Sequence, residues 1–331
     1  MVRTVRFHEL GGPEVLRLEE VPLTGPGAGE LLIRVDAIGV NRAEVLFRSG
    51  DYIEDVREFP GRLGVEAAGV VEVVGEGVTG FTAGDAVSVV PGFSMNDYGV
   101  YAERAVVPAD VVLHRPEGLD AIGGAAVWMP YVTAYGALVE VGGMRAGDTV
   151  VITAASSSVG LATIRIANRL GAVPVATTRT AAKRDALLEA GAAAVIVTEE
   201  EDVAERVLEL TDGRGAEFVF DAVAGPGVVE LAKGLARGGT LFVYGALSGR
   251  DTPFPSMTHM RGRAMRSYTL DETTRDPEGL RRAEAFVASG LRSGAFQPEV
   301  DRVFPLAEIA EAHRYMEAGA QVGKIVVTVD H

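Results

Sequence analysis

The stretch Ala154-Ala155-Ser156-Ser157-Ser158-Val159-Gly160 lies between a β-branched run and an alanine-rich amphipathic run, where a nucleotide-binding chain carries its phosphate turn. In a G-x-x-G-x-x-G spacing the three positions are Ala154, Ser157 and Gly160. Only the last, which permits close packing of helix on strand, is glycine. Alanine at the first position reads as a mild change, whereas the Cβ of Ser157 holds a pyrophosphate slightly away from the backbone. The hydroxyls of Ser156, Ser157 and Ser158 can donate to phosphate oxygens instead, at the positive end of a helix opening near Val159. The same serines equally suit helix capping, which needs no ligand.

A second signal follows 19 residues after Gly160, where an NAD-binding chain places an acid against the ribose 2′-hydroxyl. Here the run is Thr177-Thr178-Arg179-Thr180, then Lys183 and Arg184. A guanidinium at that place suits a 2′-phosphate, so NADPH is expected over NADH. Solvated charges opening a helix would look the same.

The elements that must position these residues show in the texture of the chain. From Met1 to about Gly124, strand-like runs such as Leu31–Val35 and Gly69–Val74 are punctuated by glycine and proline, which predicts a mainly antiparallel β domain. From about Ala125, short β-branched runs alternate with helical ones. Strands are predicted near Thr149–Thr153, Val173–Thr177, Ala194–Val197, Phe218–Asp221, Thr240–Tyr244 and Met265–Thr269. Helices are predicted at Val159–Leu170, Ala181–Ala190, Val203–Leu210 and Gly227–Leu235. That is the doubly wound parallel sheet of a dinucleotide fold. After Leu270 come a helix near Pro277–Ser289, a strand-like Val-Asp-Arg-Val-Phe-Pro-Leu, a helix near Ile309–Ala318 and a strand Lys324–Val329. This tail is too short to fold alone and is expected to return to the first domain. The predicted division is therefore 1–124 with 270–331, and 125–269.

At 331 residues and 47% apolar composition, two ordinary cores are expected. A formal charge of -15 argues against nucleic acid as a partner. There is no cysteine, so disulfides and thiolate metal sites are excluded. The N-terminal Met-Val-Arg-Thr-Val-Arg-Phe has no signal-peptide core, and no run is read as approaching the ~20 uninterrupted apolar residues of a membrane helix. No membrane partner and a cytoplasmic location are the expectation.

Ordered motifs along nearly the whole chain carry a resemblance: GGPEVL (11–16), GVNRAEVLFRSGDY (39–52), GVEAAGVVEVVGEGVTGFTAGDAV (64–87), YAERAVVPA (101–109), YVTAYGAL (131–138), the serine turn and GKIVV (323–327). The chain resembles the medium-chain dehydrogenase/reductase superfamily, in its zinc-free quinone oxidoreductase (zeta-crystallin-like) branch. The resemblance implies a GroES-like mainly-β catalytic domain around a Rossmann-like NADP(H)-binding domain. Where zinc alcohol dehydrogenases of that superfamily carry metal ligands, this chain has Asn41, Val65 and, by a looser match, Met129, so no metal site is expected.

Without a Lewis acid, the expected reaction is hydride transfer from NADPH to a quinone; an activated alkene in an enal or enone is the alternative. A reading of another class is an NADPH-binding sensor or structural protein with little turnover. Both acceptors build charge on an oxygen, and the resemblance to enoyl-thioester reductases in Gly50-Asp51-Tyr52 makes Tyr52 the leading donor. By the same resemblance Asn41 donates to substrate or nicotinamide ribose, and Glu44 stands where the family usually carries Asp. Thr133 lies near the nicotinamide, Gly245 and Leu247 face the carboxamide through their backbone, and Lys324 reaches the cofactor from the tail. His8, His114, His259, His313 and His331 form no triad or metal spacing and are read as structural or surface residues. A homodimer joined near Thr240–Leu247 and onward is implied as well.

Overall fold

Apolar alternation between glycine turns folds the N-terminal part of the chain into sheet. The computed structural model describes residues 1–331 and divides them into two compact units, Met1–Met129 with Gln297–His331, and Pro130–Phe296. In the first unit the long strand Glu30–Val40 pairs antiparallel with Ala67–Val74, with Arg104–Pro108 and with the C-terminal strand Lys324–Thr328. Val300–Pro305 extends the sheet beyond Lys324–Thr328, while Ala86–Val89 and Val112–His114 extend it the other way. A smaller sheet holds Leu16–Val21, Val2–Phe7 and Gly61–Arg62. Phe7, Leu31, Ile33, Phe47, Val107 and Ile325 share the buried core. This is the GroES-like domain, and its tail strand does return. The helix Arg42–Ser49, which follows directly on the central strand, was hidden in the sequence by the surrounding β texture.

The second unit is a six-stranded parallel sheet in the spatial order Ala194–Val197, Val173–Thr178, Thr149–Ile152, Ala216–Asp221, Leu235–Val243, Ala264–Ser267. Strand order therefore reverses between Thr149–Ile152 and Ala216–Asp221, the switch point outside which such sheets bind ligands. The β-branched runs fell where expected because strands buried on both faces leave continuous Val and Ile signatures.

Two sequence expectations need correction. The units divide at 129/130 and 296/297, not at 124/125 and 269/270. The helix Pro277–Arg292 belongs with the parallel sheet because Phe286 packs on Tyr135 (4.9 Å between centroids) and Phe296 on Tyr131 (4.6 Å), with the Arg169 guanidinium over both phenylalanine rings. Gly290 makes this possible: a Cβ there would lie 1.9 Å from the Phe296 ring. The second correction concerns Ala121–Val141, a helical run of 21 residues long and apolar enough to cross a membrane by length and composition. Its most apolar window is 83% buried, as in the core helix of a folded domain.

Candidate functional site

In the second unit the chain leaves strand Thr149–Ile152 at the switch point and turns through Thr153–Ser157, the Ser157 amide donating to the Ala154 carbonyl at 2.9 Å. Ala154 takes φ 45°, the left-handed region where its Cβ crowds the backbone. The alanine is therefore not the mild change expected but a strained one, by roughly 1 kcal/mol. Gly160 is required, since a Cβ there would come within 2.4 Å of the Ala155 carbonyl.

Ser157 Oγ accepts from the Gly160 amide at 3.1 Å, capping the helix Ser158–Leu170. That assigns one of the two open serine roles: Ser157 is a cap. Ser156 instead receives the Lys183 ammonium on its hydroxyl at 3.2 Å, and Ser158 and Val159 open the helix with their amides at its positive end. Arg179 stands exposed just beyond the strand Val173–Thr178. Arg184 is engaged instead in an ion pair with Glu201 at 3.3 Å.

Two residues here carried no motif. Asp221, fully buried, accepts from Thr153 Oγ1 (2.6 Å) and from the amides of Val223 (3.1 Å) and Ala224 (2.8 Å), which ties the two strands at the switch point together. Tyr244 stacks on Phe220 at 3.9 Å, and its buried hydroxyl lies beside Ser157 but outside hydrogen-bonding geometry. Burial and then the charge of Asp221 push its pKa up.

Thr133 is buried. Gly245 allows a close approach, because a Cβ would meet the Ala222 carbonyl at 2.6 Å. The Leu247 amide, by contrast, is committed to the Ala222 carbonyl at 3.1 Å, which leaves its carbonyl as the backbone group that can face a carboxamide.

In the first unit, register brings the chemistry together. Ile325 pairs with Val40, which sets Lys324 beside Asn41. The Lys324 ammonium donates to Asn41 Oδ1 and to Glu66 Oε2, each at 2.5 Å. The Asn41 Nδ2 donates to the Gly39 carbonyl at 3.0 Å and lies 3.4 Å from Glu44 Oε1 and 3.5 Å from Glu66 Oε2. Glu44 accepts from the amides of Asn41 (2.7 Å) and Val65 (3.3 Å), and Glu66 from that of Met129 (2.8 Å). All four side chains are buried. Lys324 and Asn41, each expected to face the cofactor, thus also hold one another inside the unit, where two carboxylates are buried beside a single ammonium. Glu66 was missed because in Gly64-Val65-Glu66-Ala67 it reads as the outward residue of a strand. Tyr52 is half-buried and packs edge-on against Phe47 at 6.0 Å, just past the left-handed Gly50 that ends the helix Arg42–Ser49.

Comparison with known proteins bears on both units. Residues 27–117 match the alcohol dehydrogenase GroES-like domain, and residues 158–285 match a domain described as zinc-binding dehydrogenase. The quinone oxidoreductase of Homo sapiens is 31% identical over 329 residues, covering 99% of this chain and 98% of that one. A 2-haloacrylate reductase of a Burkholderia species is 30% identical, covering 99% of each. Among solved structures, the Escherichia coli quinone oxidoreductase complexed with NADPH is similar with a TM-score of 0.91 at 29% identity, covering 98% of this chain and 99% of that one. Zinc, which one of these descriptions implies, does not fit the donors present. The chain has no cysteine, no group of three or more His, Asp or Glu is placed to hold a metal, and Asn41 Oδ1 already receives an ammonium.

Proposed function

The chain belongs to the quinone oxidoreductase branch of the medium-chain dehydrogenase/reductase superfamily, whose members work with a nicotinamide cofactor, and we propose that it transfers hydride from NADPH to a quinone. The observation that carries the cofactor choice is the cationic end of the second strand. Arg179 stands free of any carboxylate partner among the hydrogen bonds and ion pairs of this segment, and the Lys183 ammonium reaches Ser156 on the serine turn. Two cations here favour a 2′-phosphate by charge-assisted bonds and disfavour a bare ribose that wants a carboxylate. The kcat/KM for NADPH is expected to exceed that for NADH at least about tenfold, and comparable values would overturn the choice.

When bound, NADPH supplies the hydride, and quinone, NADPH and one proton give hydroquinone and NADP+. The chain's part is to orient, to exclude water and to donate a hydrogen bond to the oxygen that gains charge. Tyr52 is the proposed donor. Tyr52→Phe should lower kcat roughly 100-fold, as loss of one oxyanion donor does; unchanged kcat with every accepted substrate would reduce Tyr52 to packing.

A second reading, reduction of an activated double bond, draws support from the 2-haloacrylate reductase relative. A panel of quinones against enals and enones, followed by loss of NADPH absorbance, separates the two. A homodimer is also proposed: Leu235–Val243, which holds the start of the expected Thr240–Leu247 seam, is paired on both sides, so the edge pairing moves onward to Ala264–Ser267, which ends the parallel sheet and follows a segment that exposes Phe254 and Met257. Light scattering that reports a single-chain mass would exclude it.

A further inference from the structure

The first unit buries two carboxylates around one ammonium, which leaves an unbalanced negative charge if all three groups are ionised. Neither Glu44 nor Glu66 is exposed at all, and 1% of the Lys324 side chain is. An isolated buried charge is expensive enough that proteins neutralise it by moving a proton. We propose that Glu44 is a neutral carboxylic acid in the working protein, and that Glu44, Glu66 and Lys324 together are positioning residues that fix the Asn41 amide. The positioning role rests on the reductase reading above; the proton does not.

The contacts divide the two acids. Glu66 takes the ammonium directly, so it is the charged partner. Glu44 has no cation in contact and accepts only from backbone amides and the Asn41 amide. Its pKa is pushed up to about 7 by burial, which outweighs the pull of Lys324 and of the amide hydrogen bonds the other way. No other neighbour can supply the missing charge. Arg48, on the same helix, is paired with Glu317, and Arg42 also lies within the field of Glu317. Tyr101, facing Glu44 and Glu66, is held neutral by burial. His313, hydrogen-bonded to the Tyr101 hydroxyl at 3.2 Å, is pushed down to about 3 by burial and the two guanidiniums, and is neutral as well. Gly39 lets the groups meet: a Cβ there would stand 2.6 Å from Glu66 Oε2 and 2.9 Å from Lys324 Cε.

Linkage fixes the sign. The unfolded chain releases this proton near the ordinary value of 4.5, while the folded chain keeps it to about 7. The stabilisation is complete below the ordinary value and is lost as pH rises towards 7. Thermal unfolding of the full chain should therefore show a melting temperature that declines by several degrees between pH 5 and pH 7. Either Glu44→Gln or Glu66→Gln leaves one carboxylate against one ammonium, a neutral cluster with no extra proton, so both should flatten that decline. Glutamine at 44 keeps an acceptor for the Asn41 and Val65 amides. A decline of wild-type size in either variant would overturn the shared balance.

Infrared difference spectra of the wild type supply a measurement independent of whether the variants fold. The carbonyl stretch of a protonated acid should be present at pH 6 and lost as pH rises past 8; its absence at pH 6 would overturn the proposal. For positioning, kcat/KM of the wild type should fall above pH 7 and the fall should vanish in Glu44→Gln. A flat wild-type profile would overturn that role. Turnover with no acceptor at all would instead defeat the reductase reading while leaving the infrared and melting results to stand.

Discussion

The serine turn of the second unit and the charged cluster of the first are both built at the end of a central strand, yet they use their polar groups in opposite directions. The turn relies on backbone amides, hydroxyls and a helix N-terminus, all neutral, with its cations at the rim. The cluster relies on full charges and turns them inward, so that Asn41, Glu44, Glu66 and Lys324 satisfy one another. A neutral turn can wait for an anion without a charge to compensate; a charged cluster must be balanced before the domain folds. The first should respond to mutation through ligand affinity, the second through stability.

The most severe break in that contrast is Lys324→Met. Buried Glu66 loses the only ammonium in contact with it, and the first unit should lose about 3–5 kcal/mol of stability in denaturant melts. A loss below about 1 kcal/mol would show that the cluster is not balanced as described. Next comes Arg179→Ala, which should weaken NADPH binding by about 1.5–3 kcal/mol while leaving NADH binding unchanged, as titration calorimetry would read. An equal loss for both cofactors would deny it a part in 2′-phosphate recognition. Ser157→Ala removes a cap and should cost about 1 kcal/mol of stability, whereas Ser157→Gly should cost only a few tenths. If Ser157→Gly leaves NADPH affinity untouched, the hydroxyl serves the helix and not the pyrophosphate. The smallest expected effect is a gain: Ala154→Gly relieves the left-handed strain and should stabilise by about 0.5 kcal/mol, net of the freedom glycine adds to the unfolded chain.

How much of this was legible in the sequence depended on how local the cause was. Ala194–Val197 and Val203–Leu210 fold with the boundaries their patterns predict, because burial of a strand or of one helix face is written in consecutive residues. The GroES-like and Rossmann-like architecture was legible from ordered motifs. The helix Pro277–Arg292 was also legible, but not its allegiance, since that depends on Phe286 and Phe296 finding Tyr135 and Tyr131 far back in the chain. Lys324 and Asn41 were singled out separately as cofactor contacts. That they face each other is a matter of sheet register, Ile325 on Val40, across a separation no spacing rule reads. The strain at Ala154 was hidden for another reason: alanine is the wrong residue for that conformation, so its type pointed away from its geometry.

The strand that carries Lys324 has a consequence for the order in which the molecule can form. Residues 1–129 leave the ribosome with both carboxylates, and their counter-charge follows only when residue 324 has been made. The inserted unit, 130–296, is continuous in sequence and free to fold as soon as it emerges, whereas the first-made part must wait with the end of its central strand, Ala37–Val40, unpaired on one side. In synthesis, the beginning of this protein is finished by its end.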